Sequence, residues 1–183
     1  MHLLALSGSL RSRSKNSTML RAMALLAPAG VTLQLAPSVG ELPHFNPELD
    51  DLDRGQAPAP VLALRRLLRE ADGVMICSPE YAHGVAGAMK NALDWLVGSG
   101  ELVDKPVVVM NLSPTSFHAQ AALVETLRVM SAVVMETRVE VPISGQEVTE
   151  AQALENPATA ALLRASLAAV MAAVEQQRLA QGA

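Results

Sequence analysis

Five residues near the start of the chain have side chains suited to binding an anion. They follow an apolar run at residues 2–6 and introduce a helical pattern: Ser9, Arg11, Ser14, Asn16 and Ser17. Their hydroxyl and amide groups offer hydrogen-bond donors, and a guanidinium can bind a phosphate through two parallel bonds. A strand-loop-helix unit also directs the free N–H groups and the positive dipole end of its helix at the loop. The segment therefore predicts a phosphate site.

The same loop lacks the common nucleotide signatures. Gly8 is its only glycine, whereas a dinucleotide fingerprint has alternating glycines. The Gly-Lys-Ser/Thr ending of a nucleoside-triphosphate loop is also missing. A monophosphate ligand is thus favoured over NAD or ATP held in this loop. Taken singly, Ser9, Ser14 and Asn16 have a second interpretation, because such residues commonly cap helices.

A second loop, at residues 78–84, offers a surface for a flat ring. Pro79 and Glu80 precede Tyr81, the single tyrosine of the chain. A heteroaromatic ring can pack on this segment, and backbone amides can bond its edge. A monophosphate at the first loop and such a ring at the second together describe flavin mononucleotide (FMN).

The elements that carry these loops alternate between strands and helices. Apolar runs of strand length lie at residues 2–6, 74–77 and 106–110, residues 31–35 alternate between apolar and polar as a strand does, and a fifth strand is predicted at 133–135 or 139–141. Five helical patterns follow the strands, at about residues 19–27, 61–68, 85–96, 119–130 and 160–177. The alternation predicts an α/β fold over residues 1–183, with a doubly wound five-stranded parallel sheet in one domain and helices on both faces. Ligands of such sheets bind beyond the carboxyl ends of the strands.

Composition excludes several classes of function. The 14 basic and 18 acidic residues give a net charge of −4, which argues against a nucleic-acid surface. Prolines and polar residues interrupt the uncharged stretches at 22–40 and 106–124, so neither predicts a membrane span. Cys77 is the only cysteine, so an intrachain disulfide is excluded and a cytoplasmic location is favoured. Because Cys77 lies in an apolar strand, we expect its thiol to be an inert part of the core. The four histidines lack metal-ligand spacing, so we expect no metal site.

Two further segments have open interpretations. Residues 36–60 carry five prolines and form a long loop, which is either a functional flap or a solvated connector. On the helix after Tyr81, Lys90 and Asp94 can pair at a spacing of four, and we expect Asn91 and Trp95 to serve structure or subunit contact.

Several motifs, in this order, closely resemble the NADPH-dependent FMN reductase family. They are Gly8-Ser9-Leu10-Arg11 with Ser14 and Asn16, Ala71-Asp72-Gly73, Ser78-Pro79-Glu80-Tyr81, Gly87, and Lys90-Asn91-Ala92-Leu93-Asp94-Trp95. The resemblance runs to about Arg128 and implies a flavodoxin-like fold with strand order 2-1-3-4-5. It implies that NADPH or NADH reduces bound FMN, which passes electrons to a flavin, quinone or other small acceptor. It also implies a homodimer or homotetramer.

The same resemblance assigns the site by position. The residues placed around the FMN phosphate are Ser9, Arg11, Ser14 and Asn16, and Ser17 is a further predicted contact with the cofactor. Those placed along the isoalloxazine ring are Pro79, Glu80, Tyr81 and Ala82. Ala82 stands where the family usually has asparagine, so only its backbone is expected to contact the ring. The third loop, usually glycine-rich, instead reads Ser113-Pro114-Thr115-Ser116-Phe117, and Ser113 is its predicted contact.

No catalytic side chain is predicted, because the chemistry would belong to the flavin. Two other hypotheses remain open. The altered third loop could exclude nicotinamide, which would leave an FMN-binding redox sensor with little turnover. Alternatively, the chain is a phosphate-binding module that holds no flavin.

Overall fold

The central element of the computed structural model is a parallel five-stranded sheet, and the structure describes residues 1–113, 116–138 and 147–182. The strands are β1 His2–Ser7, β2 Thr32–Leu35, β3 Gly73–Cys77, β4 Pro106–Asn111 and β5 Val133–Arg138. Their order is β2-β1-β3-β4-β5, and every neighbouring pair is parallel. The predicted fold class and strand order are confirmed. The alternative fifth strand at residues 139–141 lies outside the described residues.

Six helices flank the sheet in the described part of the chain. They are α1 Lys15–Leu25, α2 Ala59–Glu70, α3 Gly87–Val97, α4 Phe117–Val129, α5 Glu150–Glu155 and α6 Pro157–Gln181. Five were expected, and the sixth is the short α5. This helix begins with a capping box in which Thr149 and Gln152 bond each other's backbone N–H groups.

Both faces of the sheet are buried, which explains the continuous apolar runs of the central strands. In β3, Val74 and Ile76 pack on one side with α2, α3 and α4. Met75 and Cys77 pack on the other side with α1, α5 and α6. Successive strand residues point to opposite faces, so a strand covered twice has no polar alternation.

Helix α6 covers one face of the sheet. By length and composition alone, residues Pro157–Ala180 are apolar enough to cross a membrane. In this fold, however, Leu163, Leu167 and Val170 are buried against the sheet. One side of α6 is therefore part of the hydrophobic core.

The long loop between β2 and α2 is held against the body of the protein by α3. Asn91 Nδ2 and Trp95 Nε1 donate to the carbonyl oxygen of Pro43 over 2.9 and 2.8 Å. The ring of Phe45 meets the Trp95 indole edge-on, with centroids 5.0 Å apart. Asn91 and Trp95 thus have the structural role expected of them. Two short 3₁₀ helices lie within the loop, at Val39–Glu41 and Pro47–Leu49.

A buried ion pair completes this attachment. The guanidinium of Arg65 in α2 donates to both carboxylate oxygens of Asp50, over 2.8 and 2.7 Å. It also donates to the carbonyl oxygen of Trp95. The predicted pair of Lys90 and Asp94 is present on the surface of α3.

Candidate functional site

The loops after β1 and β3 enclose a cavity of about 350 Å³. Its lining residues are Ser9, Arg11, Ser14, Lys15, Asn16, Pro79 and Tyr81. Six of these seven are among the predicted site residues, drawn from two loops that are far apart in the sequence. Lys15 was not in the predicted set, although its charge beside Ser14 and Asn16 was a usable signal.

Gly8 allows the two loops to approach each other closely. Its N–H donates to the carbonyl oxygen of Cys77 over 2.9 Å. A Cβ atom at this position would lie 2.3 Å from Ser78 Oγ and 3.1 Å from Met89 Cβ. Any side chain here would therefore push the loops apart, and only glycine fits.

The N-terminus of α1 faces the cavity. Ser14 is the N-cap, and its buried hydroxyl accepts from the N–H of Ser17 over 3.4 Å. The Ser17 hydroxyl in turn bonds that of Ser7 at 2.8 Å. Ser14 therefore has the capping role that the alternative interpretation gave it, while Lys15 and Asn16 also line the cavity. The positive end of the α1 dipole points to this space.

The cation Arg11 lies at the cavity with no hydrogen bond or ion pair to any residue that the structure describes. Arg13, by contrast, forms a surface ion pair with Glu147. Arg11 therefore provides the guanidinium that an anion in the cavity can bind.

The second predicted loop contains a small hairpin. Residues Glu80–Tyr81 and Gly84–Val85 pair antiparallel, and the turn between them has Ala82 at φ +49° and His83 at φ +60°. Both values lie in the left-handed region, which costs a residue with a Cβ about 1 kcal/mol or more. The usual hairpin signal is Asn-Gly at these two positions, so Ala-His gave no indication of a turn.

Tyr81 and Glu80 point in different directions from this hairpin. Tyr81 is 57% exposed at the cavity rim, which leaves its ring face open to a ligand. Glu80 Oε2 accepts from the N–H of Ala119 over 2.8 Å. The neighbouring imidazoles of His83 and His118 stack with centroids 4.3 Å apart. Glu80 and His83 thus attach the hairpin to the start of α4.

Asn111 organises the described part of the third loop. This residue is only 8% exposed, and its Nδ2 donates to the Ser116 carbonyl and to Gln120 Oε1 over 2.8 and 2.7 Å. Its Oδ1 accepts from the N–H of Ser113 over 2.9 Å. Sequence reasoning missed Asn111, although an amide at the end of an apolar strand was the available signal. Pro114 and Thr115 lie outside the described residues.

Four predicted site residues lie outside the described cavity lining. Ser17 is in the first turn of α1, Glu80 points to α4, Ala82 is at the hairpin tip and Ser113 bonds Asn111. A second cavity of about 390 Å³ shares Arg11 and Tyr81 with the first. Its other lining residues are Gly8, Leu10, Ala86, Gly87 and Ala88. The site therefore has room beside the first cavity for a second molecule.

Cys77 lies beneath the site at the carboxyl end of β3. Its side chain is fully buried, and burial raises the pKa of the thiol well above its usual range. The thiol is therefore protonated and inert as a nucleophile. Its S–H donates to Asn16 Oδ1, with 3.2 Å between the sulfur and oxygen.

Sequence relatives connect this geometry to known enzymes. The family described as NADPH-dependent FMN reductase matches residues 1–146. A quinone reductase of Escherichia coli (strain K12) is 36% identical over 115 residues, which cover 62% of this chain and 60% of that protein. An NAD(P)H-dependent FMN reductase of Pseudomonas aeruginosa is 37% identical over 129 residues, or 68% of each chain.

Solved structures share the architecture. The flavoenzyme NAD(P)H:(acceptor) oxidoreductase FerB from Paracoccus denitrificans superimposes with a TM-score of 0.76 at 28% identity, covering 96% of this chain and 97% of its own. A flavodoxin from the domain Archaea shares the fold, with a TM-score of 0.59 at 13% identity over 94% of this chain and 99% of its own. The family match includes both loops of the cavity. This chain belongs to the NADPH-dependent FMN reductase family.

Proposed function

We propose that this chain is an FMN-dependent NAD(P)H oxidoreductase. In this proposal, hydride passes from nicotinamide to bound FMN and the electrons then pass to a flavin, a quinone or another small acceptor. The observation that carries the proposal is the cavity of about 350 Å³ that is lined both by polar and cationic residues of the loop after β1 and by Pro79 and Tyr81 of the loop after β3.

The donor set at one end fits a phosphomonoester. Ser9 and Asn16 offer neutral donors, and Arg11 offers a guanidinium. The positive dipole end of α1 also favours an anion, and the first turn of this helix has no acidic residue that would neutralise it. Together with Lys15, which also lines this end of the cavity, these groups give a positively charged site that suits a phosphate group.

The opposite end fits the ring of the same molecule. Pro79 and the exposed Tyr81 present an apolar edge and an aromatic face. The bond from Ala119 to Glu80 and the stack of His83 on His118 hold the hairpin that carries Tyr81. We propose that Ala82 contributes only its backbone there, and that Ser113 borders the ring from the third loop.

Bound FMN supplies the hydride-accepting and electron-transferring chemistry. The residues of the chain bind the phosphate, orient the ring and leave one side of it accessible. We propose that nicotinamide and acceptor occupy the adjoining 390 Å³ cavity in turn, since both cavities meet at Arg11 and Tyr81. The first half-reaction then requires positioning and no acid-base side chain.

We further propose that the protein acts in the cytoplasm as a homodimer or homotetramer. Its single cysteine, which cannot form an intrachain disulfide, supports that compartment. Exposed apolar side chains near the C-terminus of α3 support self-association: Leu52, Leu62 and Val97 are 46%, 37% and 58% exposed. Sedimentation equilibrium of the purified protein tests this, and a monomer at every concentration would contradict it.

Anaerobic reduction tests the proposed activity. Purified protein is loaded with FMN and mixed with NADPH or NADH, and the flavin absorbance is followed before and after addition of a quinone. We expect bleaching by at least one nicotinamide and recovery with the quinone. Bound FMN that neither nucleotide bleaches would instead support the redox-sensor hypothesis. Failure to take up FMN would leave only a phosphate-binding module.

A further inference from the structure

We propose that Cys77 is a positioning residue, which fixes the side-chain amide of Asn16 so that its NH₂ group faces the FMN phosphate. This inference rests on the proposed function, because it concerns the phosphate end of the same cavity. It gives a buried thiol, expected from the sequence to be inert packing, a specific task in ligand binding.

The contact joins the core of the sheet to the cavity. Cys77 is the last residue of β3 and is fully buried, whereas Asn16 lies in the first turn of α1 and lines the cavity. The thiol donates to Asn16 Oδ1 over 3.2 Å. Since the sulfur is fixed by the strand, it presents one donor at one point beneath the helix terminus.

The thiol acts as a donor throughout the functional pH range. Burial raises its pKa well above the usual range, so the proton stays on sulfur. A side-chain amide has an oxygen that accepts and a nitrogen that donates. In the observed orientation the S–H donates to Oδ1, which points to the core, and this is the orientation that we propose the thiol favours.

The side-chain nitrogen of Asn16 is the half of the amide that remains available to a ligand. With Oδ1 bonded to Cys77, Asn16 Nδ2 has no acceptor among the residues that the structure describes. Nδ2 is the group that Asn16 then offers to the cavity, and an N–H donor is complementary to phosphate oxygens. Without the thiol, the amide can rotate and present its oxygen, which repels a phosphate.

Paired titrations with FMN and riboflavin test this role, since riboflavin lacks the phosphate. Cys77→Ala and Cys77→Val remove the donor, while Cys77→Ser retains an O–H donor in its place. We expect both donor-free variants to raise the Kd for FMN by about three- to tenfold, the loss of a modest hydrogen-bond contribution. Their Kd for riboflavin should stay within about twofold of wild type, and Cys77→Ser should restore FMN binding.

A double-mutant cycle separates positioning from packing. In an Asn16→Ala background, Cys77→Ala should have no further effect on FMN affinity, because the group that it positions is gone. Two results overturn the inference: donor-free variants that bind FMN as tightly as wild type, or an equal loss of affinity for FMN and riboflavin.

Thermal unfolding identifies any variant that does not fold. If one of the two donor-free variants fails to fold, the other alone is enough for the comparison with wild type. Wild-type protein that takes up no FMN would refute the proposed function and this inference together. Normal binding by wild type with unaffected variants would refute the role of Cys77 alone.

Discussion

Two adjacent aspartates offer a test of what holds the long loop before α2 in place. Asp50 and Arg65 form a bidentate pair in which the side chains are 8% and 4% exposed. Asp51 and Arg54 form a looser pair at 3.7 Å, with side chains 41% and 76% exposed. The two pairs have the same charges and differ in burial and geometry, and Asp51 Oδ1 also accepts from the N–H of Arg54 over 3.1 Å, an exposed group that can bond water once Asp51 is removed.

Removing Asp50 leaves the guanidinium of Arg65 buried without its counterion. Breaking a buried pair in this way costs about 3–5 kcal/mol, because the remaining charge cannot return to water. We therefore expect Asp50→Ala to lower Tm by about 6–20 °C, since 1 kcal/mol shifts Tm by about 2–4 °C in a chain of this size. The exposed pair contributes about 0–1 kcal/mol, so Asp51→Ala should lower Tm by no more than about 4 °C.

Thermal unfolding at neutral pH, followed by circular dichroism, gives the Tm of both variants and of wild type. A third variant, Asp50→Asn, keeps an acceptor for Arg65 and should fall between wild type and Asp50→Ala. Equal effects of Asp50→Ala and Asp51→Ala would show that burial of the Arg65 pair does not stabilise the loop, which would refute the reasoning.

Three other predictions concern the hairpin, the cavity and the acid range. Ala82→Asn should stabilise the protein by about 0.5–1 kcal/mol in thermal unfolding, because asparagine tolerates a positive φ, while Ala29→Asn on another exposed turn should gain nothing. Arg11→Ala should weaken FMN binding by about 1.5–3 kcal/mol in a fluorescence titration, and an unchanged Kd would remove Arg11 from the site. Burial raises the pKa of Asp72, but hydrogen bonds from the His2 N–H and Arg178 outweigh it and hold that pKa below its usual range. The stability that these bonds add is fully present above the pKa of Asp72 in the unfolded chain. It is lost as the pH falls through the lower pKa of Asp72 in the folded protein. Arg178→Ala should therefore cost up to about 1 kcal/mol at neutral pH and nothing in strong acid, and a pH-independent loss in urea unfolding would contradict this.

The parallel arrangement of the sheet follows from features that the sequence displays directly, whereas its strand order was predicted only through the family resemblance. The apolar runs of β1, β3 and β4 are continuous because both faces are covered, and this pattern distinguishes a parallel sheet from a half-exposed one. The helix α5 was missed despite a capping signal at Thr149 and Gln152, because its six residues are too few for a helical period. The sequence also offered no indication that Arg65 forms a buried ion pair, because an arginine in a helix is usually exposed.

The composition of the cavity was more predictable than the contacts beneath it. Ser9, Arg11 and Tyr81 are polar or aromatic residues in loops, which is where ligand contacts concentrate. The hydrogen bonds of Cys77 and Asn111 depend on partners that the fold brings close: Asn16, 61 residues away in sequence, and Gln120 on the next helix. Periodicity and motifs do not report such side-chain pairs.

Equilibrium titration of the flavin-free protein with FMN tests the central claim most directly. Quenching of flavin fluorescence should saturate at one FMN per chain, and riboflavin should bind more weakly because it lacks the phosphate that Arg11 and the N-terminus of α1 are proposed to hold. Equal affinity for FMN and riboflavin, or no saturable binding of FMN, would contradict the assignment of the cavity between the loops after β1 and β3.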